Sequence, residues 1–182
     1  MELIKNLKEV SLLKKLFLAI LGSILLAISA KIKIPFWPVP MTMQTFVVLS
    51  LGIAYGWKLG LFTVSLYLLE GIVGLPVFAG TPEKGLGLVY FTGPTMGYLI
   101  GFMVSVFFTG FLDFTGNILK NFIKLIFSVS FIYILGLIWL GYLIGWDKPV
   151  FELGAKPFLL AELLKVLILS ILIPKIIKFR NY

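Results

Sequence analysis

Apolar residues along this chain come in long unbroken blocks. Residues 34–57, 85–112 and 125–146 carry no charge at all, and each block is comparable to or longer than the ~20 residues that take a helix across a hydrocarbon core. Divided by the charges and turn residues between them, the blocks predict an all-α membrane protein. It is read as one domain over residues 1–182 with six membrane segments at 16–30, 42–55, 59–73, 94–112, 125–144 and 157–174. Residues 1–15 have a different pattern: Leu3, Ile4, Leu7, Val10 and Leu13 recur at helical spacing against Lys5, Lys8 and Lys14. That spacing predicts a helix lying along the interface before the first crossing. The first apolar run also has a basic start and small residues at Ala27, Ser29 and Ala30, the marks of a cleaved leader. With further crossings after it, the run is read as a retained first helix that sets the topology.

One stretch breaks the pattern. In "IPFWPVPMTMQTF", Pro35, Pro38 and Pro40 each lack an N–H and bias the preceding residue to extended backbone, so a helix starts only after Pro40. The segment that remains, 42–55, has ~14 residues or ~21 Å of helix, too short to cross a ~30 Å core upright. An extended, aromatic-bearing strand is therefore expected to dip into the protein at that end, because non-helical backbone at membrane depth must be buried in protein or face a cavity. Pro-interrupted apolar segments are also pointers to transport substrate sites; the plainer alternative is a Pro-rich surface loop. Gly56-Trp57-Lys58 predicts a tight turn, whereas 31–41, 74–93 and 145–156 are longer and rich in Pro, Gly and aromatics, as lids and binding loops are. Gly97 and Gly101, four residues apart, predict close approach by another helix.

Composition narrows the class. Of 182 residues 60% are hydrophobic and 13% charged, against ~45–50% and ~25% in soluble domains. Cysteine and histidine are both absent, which removes disulfides, zinc sites built on those ligands, their haem ligation, and Ser-His or Cys-His catalysis. The two aspartates, Asp113 and Asp147, fall between apolar blocks, so an intramembrane aspartyl pair is a poor reading. Gly85-Leu-Gly87 is followed by no Gly-Lys-Ser/Thr, so no nucleotide site is expected. No cofactor and no enzyme activity are expected.

The net charge is +8. With the N-terminus inside, Lys5, Lys8, Lys14, Lys15, Lys58, Lys120, Lys124, Lys175, Lys178 and Arg180 face the cytoplasm, against Lys31, Lys33, Lys84, Lys148 and Lys156 outside. That bias predicts a multi-pass protein of the cell membrane with both termini cytoplasmic. The charge is accounted for by topology and anionic lipid rather than nucleic acid.

Two clusters stand out as chemistry. Glu162 and Lys165 lie three residues apart, hence on one helix face, within the last apolar block. Ionisable groups there are costly, and the pair is either a ligand site or an intrahelical ion pair with Lys165 snorkelling. Glu70, near the end of its segment, reads as an interfacial cap. Ala19, Ser23 and Ala27 form a small-residue stripe that lets another helix approach, either within the chain or from a partner.

The run "PFWPVPMTMQTFVVLSLGIAYGWKLGLFTVSLYLLEGIVGLPVFAG" with the later "GPTMGYLIGF" closely resembles the biotin-specific substrate-binding components of energy-coupling factor transporters, the BioY family. The resemblance covers the chain from Ala19 to about Leu172. It implies six membrane helices, a biotin pocket near the outer face with a first-loop lid, and as partners a transmembrane coupling subunit and two cytoplasmic ATPases. The family's Ala-x-x-x-Ala docking surface is matched by Ala19, Ser23 and Ala27, with Ser23 a departure. Its Asp-x-x-Lys signature is matched by Glu162 and Lys165, with the longer acid a departure. On this resemblance Phe36, Trp37, Phe78 and Tyr90 are expected as pocket walls, Gln44, Thr45 and Glu162 as partners of biotin's ureido group, and Lys165 as the cation for its carboxylate. A sister component for another small anionic vitamin is the alternative.

Overall fold

A computed structural model describes residues 2–114 and 116–180, with side chains from residue 11 onward. The chain is mostly helical: α1 (Glu2–Lys31), α2 (Gln44–Ile72), α3 (Met96–Phe111), α4 (Ile118–Ile144), the short α5 (Val150–Gly154) and α6 (Leu159–Ile176). A two-residue antiparallel ribbon, β1 (Lys33–Ile34) and β2 (Met41–Thr42), stands between α1 and α2 with Lys33 opposite Thr42 and Ile34 opposite Met41. Pro35, Pro38 and Pro40 lie inside this ribbon's turn and cannot donate to a ladder, which keeps the pairing to two residues a side.

Among the described residues, Ser11–Lys31, Gln44–Ile72 and Ile118–Ile144 are long and apolar enough to cross a membrane. α1 runs unbroken through the segment expected to lie along the interface. The face proposed for residues 2–10 lies outside the described side chains. Helix α4 starts at Ile118, seven residues before the expected 125, because Asn117 caps it: its side chain accepts from the Lys120 backbone N–H, which places Lys120 and Lys124 in the helix rather than in a loop.

Helix α2 is two arms folded on each other. At Gly56 the backbone turns to φ 70°, ψ 176°, a conformation essentially restricted to glycine, and residues 44–55 and 57–72 run back along one another. Gly52 and Gly60 face each other across the fold, and Gln44 at one tip reaches Tyr67 in the other arm. α1 and α3 both pack on α2, α4 packs on α3, and α6 closes against α4 and α2. Reversal at every connection gathers the stretches 32–43, 73–95 and 145–158 at one end of the bundle. The Gly56 turn, the α3–α4 connection and Arg180 lie at the other, where Arg180 donates to Gly110 O and Leu112 O.

Gly97 and Gly101 make the α3–α4 contact. A Cβ on Gly97 would sit 2.4 Å from Leu135 O, and one on Gly101 2.6 Å from the Ile132 Cα, so backbones meet where side chains would otherwise separate them. Ala19 and Ser23 are fully buried; Gly22 beside them meets Thr63, Leu51 and Tyr55 of α2, and Ser23 donates to Glu70 Oε1 at 2.7 Å. Ala27 is half-buried against the core. Of the two readings of the small stripe, the intramolecular contact is the one formed in the isolated chain for Ala19 and Ser23. Bulky substitutions there act first on the chain's own packing.

Candidate functional site

Below the loop end lies a small cavity, part of it open to solvent. Its floor and sides come from Gln44 and Thr45 of α2, Tyr98, Leu99 and Phe102 of α3, Ile132 and Tyr133 of α4, and Glu162 and Lys165 of α6. Its cover comes from all three loops: Val39–Thr42 from the first, Ala79, Tyr90 and Thr95 from the second, and Phe158 from the third.

The polar groups of the cavity form one network. Glu162 and Lys165 are 4% and 9% exposed, and the Lys165 ammonium donates to Thr42 O at 2.9 Å, Thr45 Oγ1 at 2.9 Å and Glu162 Oε2 at 3.1 Å. An ammonium has three hydrogens, so all are engaged. Glu162 Oε2 also accepts from Thr45 Oγ1 and Tyr133 Oη, each at 3.0 Å. Glu162 Oε1 is buried with no partner. A buried carboxylate oxygen without a donor carries an uncompensated desolvation cost, which an N–H donor entering the cavity removes. Beside it, Gln44 donates from Nε2 to Tyr67 Oη at 2.8 Å and accepts at Oε1 from Thr42 Oγ1 at 3.3 Å. That leaves one amide N–H of Gln44, so the residues lining the cavity include both an unpartnered acceptor and an unengaged donor.

The expected site residues divide accordingly. Gln44, Thr45, Tyr90, Glu162 and Lys165 line the cavity. Phe36 lies outside it but meets the cavity-lining Phe158 edge-on, centroids 5.6 Å apart. Trp37 is 77% exposed and forms no wall; the buried cover at this point is Pro38 and Val39, so the extended segment dips in one residue later than the aromatics. Phe78 is fully buried behind the cavity, stacked on Tyr90 at 4.7 Å and seated over Gly71, where a Cβ would lie 2.0 Å from its ring. It anchors the second loop and does not touch the site. Burial holds the Tyr90 hydroxyl above its ordinary pKa, so it stays a neutral phenol and accepts from the Gly80 N–H at 3.3 Å. Lys165 was expected to offer its charge to a ligand, and in the structure that charge is already spent on three acceptors. Tyr133, Tyr98 and Thr42 were missed by sequence reasoning. The one signal for Tyr133 was a lone hydroxyl in the apolar run "FIYIL".

Lysines tie the first and second loops to each other. Lys31 donates to Phe78 O at 2.9 Å, Thr81 O at 3.1 Å and Thr81 Oγ1 at 3.2 Å; Lys33 donates to Ala79 O at 2.6 Å, and Lys84 reaches back to Pro38 O at 3.2 Å. These bonds hold together two of the loops that cover the cavity. The Lys31→Ala, Lys33→Ala double variant is expected to release ligand about tenfold faster, ~1.4 kcal/mol for charge-assisted bonds at a partly solvated site. Stopped-flow dissociation reads this directly, and an unchanged rate means the loops open independently of these bonds.

The sequence profile of the BioY family matches residues 4–182. A probable biotin transporter BioY of Pyrococcus horikoshii is 35% identical over 158 residues, covering 87% of this chain and 89% of that protein. The biotin transporter BioY of Thermotoga maritima is 32% identical over 165 residues, covering 88% and 94%. Among solved structures, the S-component for biotin from an ECF-type ABC transporter aligns with a TM-score of 0.77 over 92% of this chain and 93% of that one. At 24% identity that likeness is one of fold.

Proposed function

This chain belongs to the BioY family, and on that premise we propose that it is the substrate-binding membrane component of an energy-coupling factor transporter and binds biotin for uptake. It is a transport component and not an enzyme. The observation that carries the reading is Glu162 Oε1, a buried carboxylate oxygen without a donor on a residue that lines a loop-covered cavity. Biotin's ureido ring brings the N–H donors this oxygen lacks and a carbonyl that can accept from Gln44, while Leu99, Phe102, Ile132 and Phe158 supply apolar contact for the thioether ring and chain. Thr45 and Lys165 serve the ligand through Glu162, with which both are hydrogen-bonded.

The arms of α2 counted separately, together with α1, α3, α4 and α6, give six membrane-crossing segments in one domain. The basic residues orient them with both termini cytoplasmic and the Pro-rich ribbon outside. A transmembrane coupling subunit and two ATPases complete the transporter, with the exposed apolar face of α1 and its neighbours available to lipid and to that subunit. Thermal-shift measurements on the purified chain test the ligand. Biotin is expected to raise the melting temperature, whereas thiamine, riboflavin and other vitamins at equal concentration do not. Stabilisation by another anionic vitamin in place of biotin overturns the assignment.

A further inference from the structure

The two oxygens of Glu162 are treated differently by the protein. Oε2 receives three donors, from Thr45 and Tyr133 at 3.0 Å and Lys165 at 3.1 Å, and Oε1 receives none. The last torsion of a glutamate is soft and two-fold, so an ion pair with Lys165 alone would leave the carboxylate free to turn. Lys165 and Thr45 also bond each other, and both reach Glu162 from the α2–α6 side. Tyr133 approaches from α4, and Glu162 is the one acceptor for its hydroxyl among the described residues.

Tyr133 is itself held in place. Its ring stands edge-on to Tyr98, centroids 6.3 Å apart at 88°, and Tyr98 donates to Gly154 O at 2.8 Å. The Tyr98 ring lies where a Cβ on Gly136 would be, 2.4 Å from its Cδ1, so the ring against which Tyr133 packs is itself closely seated on α4. The hydroxyl of Tyr133 thus reaches Glu162 from α4, with its ring braced on Tyr98.

We infer that Tyr133 is a positioning residue for ligand recognition: its hydroxyl clamps Glu162 Oε2 so that Oε1 alone is presented, and it thereby sets the preference for a ligand with an N–H donor at that point. The inference rests on the biotin reading above. Acting through Glu162, Tyr133 has an effect that depends on the glutamate being there, whereas a direct packing contact with ligand would not.

The test is a double-mutant cycle on the purified full chain, with biotin affinity and melting temperature measured for wild type, Tyr133→Phe, Glu162→Gln and the pair. Tyr133→Phe is expected to weaken biotin binding about tenfold, the size of one hydrogen bond to a charged group, and to change affinity less than twofold in the Glu162→Gln background. An equal loss in both backgrounds, or no loss in wild type, overturns the inference. Should Tyr133→Phe fail to fold, 3-fluorotyrosine at position 133, which keeps the hydroxyl and alters only its donor strength, is read in the same two backgrounds. A change confined to the Glu162 background supports the inference, and an equal change contradicts it. Absence of biotin binding by wild type instead overturns the ligand assignment, and this inference with it.

Discussion

Replacing Lys165 by alanine is expected to destabilise the chain by about 3–5 kcal/mol, the cost of leaving one member of a buried pair uncompensated. Glu162 would keep two hydroxyl donors on Oε2 and lose its only cation, at a site where both side chains are almost fully buried. Thr42 O and Thr45 Oγ1 would lose their donor as well. Glu162→Gln in the same chain removes the stranded charge and is expected to recover most of the melting temperature. It does not recover biotin binding, because the charged acceptor is gone. This separates two roles for Lys165. If wild type prefers biotin to its methyl ester and the double variant loses that preference, Lys165 meets the ligand's carboxylate after all; if acid and ester weaken by the same factor from wild type, so that any preference is kept, Lys165 acts by holding Glu162.

Gly101→Leu is expected to cost up to about 3 kcal/mol and to abolish ligand binding together with stability. A Cβ at this position falls 2.6 Å from the Ile132 Cα and 3.2 Å from the Ile132 and Phe131 carbonyl oxygens. All three are backbone atoms, which cannot rotate aside, so relief comes only by moving α4 away from α3; overpacking of this kind costs about 1–3 kcal/mol. The displaced stretch of α4 carries Ile132 and Tyr133, both lining the cavity. Gly116→Leu is the control, since nothing lies within 4 Å of its added Cβ. Thermal unfolding in detergent with and without biotin reads both variants, and a Gly101→Leu protein that melts and binds like Gly116→Leu contradicts the close packing.

Much of this was legible from residue pattern, for reasons that differ from place to place. The helical blocks are visible because a hydrocarbon solvent excludes charge over ~20 residues. The turn at Gly56 is visible because glycine and a lysine interrupt such a block, and the α3–α4 contact because Gly97 and Gly101 recur at helical spacing. Glu162 and Lys165 could be paired from their spacing, since three residues place both on one face. What could not be read is how their bonding capacity is used. Two of the three acceptors of Lys165, Thr42 O and Thr45 Oγ1, lie more than a hundred residues away, and one is a backbone carbonyl that no side-chain pattern announces. Tyr133 meets Glu162 only because α4 and α6 pack at that register, and the same letter elsewhere in a helix would face lipid. In the Pro-rich segment, composition indicated aromatics near a site but not which side chains turn inward: Val39 does, Trp37 does not, and Phe78 serves as an anchor behind the wall.

The most direct test of the account is calorimetric titration of the detergent-solubilised wild-type chain with biotin, in the absence of any partner subunit. The account predicts saturable binding of one biotin per chain, weakened when Glu162 is replaced by leucine in a protein that still folds. No saturable heat with wild type, or undiminished affinity in a folded Glu162→Leu chain, contradicts it.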